Sequence, residues 1–316
     1  MINYIKKLVL FSLPLILIII VELIIDPYNY FSEGKNEKLS RLKNEISQKD
    51  NPYLFKLIAY DRSPCSTIIL GDSRIMGLKP SLFENYSKEK VANIAIGGGT
   101  IQDAIEIFNY VTTRHTIKQV FFGVSIETYS GTFLRNRAKP SLEIKNSFVR
   151  YLLNRYTFSS TYLICRSMIR KERIDLYRPP FAKEEFWKNQ LISESRFLGS
   201  YSYPTNYYNE LKKISEYCKE KNIKLAFIIS PTHIELQEKI NEFNLVKEYN
   251  RFKQDIESLG DVYDYNYPNI LTETKNNFRD PYHHTDSVAR IIVKEIYTKE
   301  FLYAKFTPNF TINGSK

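Results

Sequence analysis

Residues 68–76 read Ile-Ile-Leu-Gly-Asp-Ser-Arg-Ile-Met, a short apolar run that breaks into Gly71-Asp72-Ser73. An apolar run with no polar alternation is the pattern of a strand buried on both faces. The Gly-Asp-Ser after it is either an ordinary turn or a device that exposes a nucleophilic serine. Residues 91–99 (VANIAIGGG), 119–126 (QVFFGVSI) and 224–230 (KLAFIIS) repeat the strand pattern, and residues 101–113 and 208–221 between them carry helical spacing. Apolar strands alternating with helices predict an α/β fold: a three-layer α/β/α sandwich on a central parallel sheet, of flavodoxin-like class. Ligands of such sheets gather at the carboxyl ends of the strands. The Gly71-Asp72-Ser73 turn, the Gly97-Gly98-Gly99 turn and the stretches GVSIET (123–128), SPTH (230–233) and DYNYP (264–268) each follow a predicted strand, so all are expected at one rim.

At 316 residues and 43% hydrophobic, the chain has ample material for a core, which excludes a disordered protein. Its net charge of +10 invites a nucleic-acid reading. Lys and Arg are scattered among acids, however, with neither a basic stripe nor a recognition motif, so no nucleic-acid partner is expected. Lys6 and Lys7 precede an apolar run from Leu8 to Ile25. At 1.5 Å per residue that run is just long enough for a hydrocarbon layer of about 30 Å. Pro14 and Glu22 weaken the span, although Glu22 falls near its outer end, within reach of headgroups and water. Residues 22–30 offer no small-residue cleavage site. The expectation is therefore a retained signal anchor over residues 1–26, with the basic flank inside and the remainder extracytoplasmic.

Residues 27–60 are expected as a charged juxtamembrane stalk and residues 61–304 as the α/β domain. A helical insertion over about 135–208, rich in Tyr and Arg and holding the single Trp187, breaks the alternation and would cover the site. Residues 305–316 read as a loose polar tail. Cys65, Cys165 and Cys218 are too widely spaced for a metal pattern, and no metal or cofactor is expected.

The second informative stretch is FRDPYHHTDSVARIIVKEIYTKEF, residues 278–301. Asp280 and His283 stand three apart, just before an amphipathic helix expected over 287–297. Asp280 could accept the Nδ1 proton of His283 and leave Nε2 for Ser73. A serine hydroxyl is a poor nucleophile at neutral pH and needs a neutral imidazole to take its proton, while a carboxylate fixes the imidazole tautomer. His284 is expected to line the pocket or face solvent, and His233 to be a loop histidine near the site. A zinc set is disfavoured, because adjacent histidines rarely reach one metal and no HxH or HExxH occurs. Asp72 reads as a turn-holding carboxylate, and Arg74, beside the serine, as a candidate for binding an anionic substrate.

Gly71-Asp72-Ser73 after the first strand, a glycine turn after the second and Asp280-x-x-His283 near the end together resemble the GDSL or SGNH hydrolase superfamily, over about residues 66–301. The apolar N-terminus followed by DPYNYF (26–31) is similar to membrane-anchored members of the DltD and alginate O-acetylation kind, which act on cell-surface polymers alongside a membrane-bound O-acyltransferase. The resemblance implies Ser73 as nucleophile, His283 as base and Asp280 as its orienting residue. It also implies oxyanion donors in the Ser73 N–H and in Gly98 or Gly99. The chain departs from the superfamily in its third block, where an Asn of a GxND motif is expected and GVSIETY stands instead. One missing donor costs about 3 to 4 kcal/mol of transition-state stabilisation, and Asn93, Ser125 or Thr128 are the candidates to replace it. What the resemblance implies is an anchored serine esterase or O-acyltransferase acting on small acyl (acetyl) esters of cell-surface glycans. The alternative it implies is a weakly active or inactive binding or assembly partner of a membrane-bound O-acyltransferase.

Overall fold

A computed structural model describes residues 2–33, 36–170 and 183–309. The chain opens with helices α1 (Ile2–Ile25), α2 (Glu37–Asp50) and α3 (Pro52–Arg62). It continues through β1 (Thr67–Leu70), α4 (Ser73–Met76), α5 (Pro80–Ser87), β2 (Val91–Asn93), α6 (Ile101–Thr112) and β3 (Gln119–Val124). Helices α7 (Ala138–Lys145), α8 (Phe148–Leu152), α9 (Arg155–Arg170), α10 (Lys183–Gly199) and α11 (Tyr207–Glu220) follow. Next come β4 (Lys224–Ile229), α12 (Ile234–Glu242), α13 (Val246–Glu257), β5 (Asp261–Asp264) and α14 (Ile270–Glu273). The chain closes with β6 (Phe278–Asp280), β7 (His283–His284), α15 (Asp286–Thr298) and β8 (Lys305–Thr307).

The main sheet has the order β2-β1-β3-β4-β5-β8, parallel except for β8, which runs antiparallel to β5. Register explains why its strands lack alternation. Ile69, Phe121 and Ala226 lie in one row and Ile228 and Tyr263 in another, and all five enter a core with Phe83 of α5 and Val288, Ile292 and Val293 of α15. The intervening row Leu70, Phe122, Phe227 and Val262 is equally buried on the opposite face. Helices α6, α11 and α13 pack against β1, β4 and β5 respectively. Both faces are thus covered, and the first five strands take the order 2-1-3-4-5 of flavodoxin-like sheets.

The chain divides into two compact units, Met1–Ser63 with Arg137–Pro179 and Pro64–Asn136 with Pro180–Lys316. The first is helical, and it corrects the expectation of a stalk over 27–60. Tyr28, Leu54, Ile58 and Tyr151 share one buried cluster, and Ile25, Ile46 and Ile164 another. Lys43, which reads in sequence as a solvated charge, is buried and donates to Asn29 Oδ1 at 2.8 Å. The insertion expected over 135–208 is divided between the two units, since α7 to α9 belong to the helical one and α10 to the α/β one; residues 171–182 lie outside the described residues. The expected loose tail begins instead with β8, a sheet-edge strand, and its residues 310–316 lie outside the described residues.

Apolar side chains of α1 from Leu10 to Ile24 are largely exposed, Phe11 at 86% and Ile24 at 71%. Among the described residues no helix is long and apolar enough to cross a membrane. Leu8 and Val9, the start of the expected span, lie outside the described side chains.

Candidate active site

Ser73 is placed by a turn that only glycine can begin. Gly71 has φ +138°, and a Cβ there would stand 2.9 Å from both the Gly123 carbonyl oxygen and Ile75 Cγ2. Left-handed φ and close backbone approach both select glycine. Asp72 caps the short helix α4, its Oδ1 accepting the Arg74 N–H at 2.9 Å, which leaves Ser73 as the first helical residue. Ile96 N–H donates to the Gly71 carbonyl at 3.0 Å, which brings the Gly97-Gly98-Gly99 turn beside the serine.

Asp280 and His283 sit on a two-stranded antiparallel hairpin, β6–β7, ahead of α15. Asp280 Oδ1 accepts the N–H of Tyr282 (3.0 Å) and of His283 (3.1 Å), closing the turn. The imidazole Nδ1 lies 2.9 and 2.8 Å from the two Asp280 oxygens, and Nε2 lies 2.8 Å from Ser73 Oγ. Burial alone would raise the Asp280 pKa. The bond and charge of His283, with the two backbone N–H groups, outweigh it and hold the carboxyl below its ordinary range. Successive residues of a strand point to opposite faces. His283 therefore turns to the serine while His284 turns inward, 1% exposed, where burial lowers its pKa to about 4.

Ser73, His283, Gly98 and Gly99 line a cavity of about 340 Å³, walled by Phe133 and Phe197 and by Gln190, Ser193 and Glu194 of α10. Three sequence expectations need correction. Asn93 is no oxyanion donor: its Nδ2 donates to the carbonyls of Ile75 (3.1 Å) and Leu78 (2.8 Å), and its Oδ1 accepts the Ala95 N–H (3.0 Å), so it clamps the end of α4. Gly99 lines the cavity, but its N–H is given to the Ile96 carbonyl at 2.9 Å; Gly98, at φ +63°, and Ser73 line the same cavity. Arg74 is not poised for an anion, because it is buried in ion pairs with Asp72 (3.0 Å) and Glu127. Burial would lower its pKa, yet Glu127 and Asp72 raise it.

Of the other candidates, Ser125 and Thr128 bond to each other within their own turn, and Thr128 alone lines the cavity. His233 caps α12, is packed edge-on to Trp187 and Phe278, and donates its backbone N–H to the Pro281 carbonyl at 2.9 Å, so it steadies the hairpin without facing the cavity. Sequence reasoning missed Glu127, Glu194 and Tyr282. Glu127 follows β3 at the expected rim and could have been found there; Glu194 lies on the insertion and carries no local signal. Burial, then repulsion from Glu127, pushes Glu194 up to about 8, and Tyr282 donates to its Oε2 at 2.6 Å.

No sequence-family model and no curated protein matches the chain. Similar solved structures include a protein assigned to the lipolytic G-D-S-L family from Desulfitobacterium hafniense DCB-2, with TM-score 0.37, 11% identity and coverage of 74% of this chain and 98% of that one. Another, assigned as a platelet activating factor from Streptococcus pneumonia, has TM-score 0.39, 10% identity and coverage of 84% and 98%. A third, assigned as an acylhydrolase from Bacteroides fragilis NCTC 9343, has TM-score 0.35, 11% identity and coverage of 76% and 89%. At these scores the likeness carries no argument of its own, and the α/β assignment stands on strand order and register.

Proposed function

We propose that the chain is a serine esterase or O-acyltransferase of SGNH type. The observation that carries this reading is the continuous line from Asp280 through His283 Nδ1 and Nε2 to Ser73 Oγ, each step at 2.8 Å. In this reading Ser73 Oγ attacks an ester carbonyl as His283 takes its proton. Asp280 holds the tautomer and stabilises the imidazolium. The oxyanion forms toward the Ser73 N–H and Gly98. His283 then protonates the leaving alcohol, and the acyl-enzyme is released to water or to an acceptor hydroxyl.

The acyl group is small, acetyl above all, and the acceptor is a cell-surface glycan or glycopolymer. A cavity at the lower end of the usual ligand-site range of about 300 to 1,000 Å³ supports a small group. The exposed apolar side chains of α1 support its role as a membrane anchor with the remainder extracytoplasmic, where a membrane-bound O-acyltransferase is the expected partner. A second reading, a binding or assembly protein that has lost turnover, draws support from the commitment of Asn93 and Gly99 N–H elsewhere.

The test is labelling of the full chain, in detergent, by a fluorophosphonate probe. Labelling that disappears in both Ser73→Ala and His283→Ala supports an activated serine. A folded wild-type chain that does not label supports the assembly role instead.

A further inference from the structure

The residues next in sequence to the serine and the histidine are joined by a second route. Arg74, following Ser73, donates to Glu127 Oε2. Tyr282, preceding His283, donates to Glu194 Oε2 at 2.6 Å. Glu194 and Glu127 line the same cavity, and the neighbouring Glu127 favours the protonated form of Glu194. A bond from Glu194 to Glu127 would close the path Ser73–Arg74–Glu127–Glu194–Tyr282–His283 into a ring whose remaining side is the Ser73 to His283 bond. Glu194 is 2% exposed, and its Oε1 is buried with no hydrogen-bond partner among the described residues. Two carboxylates cannot bond each other without a proton between them, and the Arg74 guanidinium is already paired with Asp72 and Glu127, with Glu194 a third carboxyl in its field.

We propose that Glu194 is a positioning residue, which donates a retained proton to Glu127 and so straps the histidine hairpin to the serine turn. This rests on the serine reading above. The groups facing Glu194 are Glu127, Arg74 and Tyr282. His233 and Glu235 of the neighbouring α12 engage Trp187 instead. When the Glu194 proton leaves for solvent, the strap gains a second negative charge at its centre and its link to Glu127 opens; Tyr282 stays on Glu194 but no longer ties His283 to the serine turn.

The experiment measures fluorophosphonate labelling rates and melting temperatures of the full chain between about pH 5 and about pH 10. Wild-type labelling is expected to fall above about pH 8, by about tenfold per pH unit at most. Glu194→Ala, which breaks the strap, labels slowly throughout. Glu194→Gln, which keeps an N–H for Glu127 and an acceptor for Tyr282, restores labelling and holds it through the alkaline range. An E194Q chain that follows the wild-type decline, or an E194A chain that labels like wild type, overturns the proposal. If wild type never labels, the serine reading falls, and melting decides the strap separately. A melting temperature that declines as pH rises to about 8 in wild type but not in E194Q supports it, and superimposable melting profiles overturn it.

Discussion

His283 Nε2 stands 2.8 Å from Ser73 Oγ across 210 residues of chain, at hydrogen-bond length. The histidine reaches the serine because its other nitrogen is held between two Asp280 oxygens. Asp280→Asn keeps the shape but offers an amide to Nδ1 and so favours the wrong tautomer. The expected result is a fall in labelling or ester turnover of about 10⁴-fold with the melting temperature nearly unchanged. A fall of less than about tenfold would remove Asp280 from the orienting role.

His284 gives the fold an acid-sensitive side. Its folded pKa, about 4, lies below the unfolded value of about 6.5. Between those values the unfolded chain binds the extra proton, so the stabilisation is complete above about 6.5 and is lost as pH falls toward 4. The difference amounts to about 3 kcal/mol at most. Melting curves of wild type and His284→Asn should therefore converge as the buffer is acidified across that window.

Gly71→Ala meets backbone on one side and Ile75 on the other, at a φ that alanine rarely adopts. A loss of about 2 to 4 kcal/mol is expected, read as the shift of a urea midpoint. Trimming Ile75 to Ala, which removes the clashing Cγ2, should not rescue it, because the Gly123 carbonyl remains in the way.

Asn93→Ala separates a clamp from an oxyanion donor. The clamp reading gives a stability loss of about 1 to 3 kcal/mol, with labelling per folded molecule kept within about twofold. A stable N93A variant with labelling down by about 10² to 10³ would restore the donor role.

Much of this fold is legible in the sequence because its strands are buried on both faces. The runs at 67–70, 119–124 and 224–229 could hardly be anything else. Ser73, Asp280 and His283 are legible because each belongs to a local pattern: a turn after a strand, and a three-residue spacing before a helix. Asn93 misleads because a polar side chain at a strand end looks free until the carbonyls of α4 fold back on it. Residues 27–60 mislead for a related reason. Their charged composition hides the partners of Tyr28 and Asp50, which both meet Ser160 of α9, far along the chain. Glu194 is the extreme case, since nothing near it in sequence hints that Tyr282 and Glu127 will close on it.

Asp26, the residue after α1, accepts the N–H groups of Tyr30, Phe31 and Ser32 and the hydroxyl of Tyr151. A joint fastened at four points does not swivel. The helical unit is therefore mounted on α1 like a flag on its pole, and a change of tilt or rotation of α1 would turn α2, α3 and α9 with it.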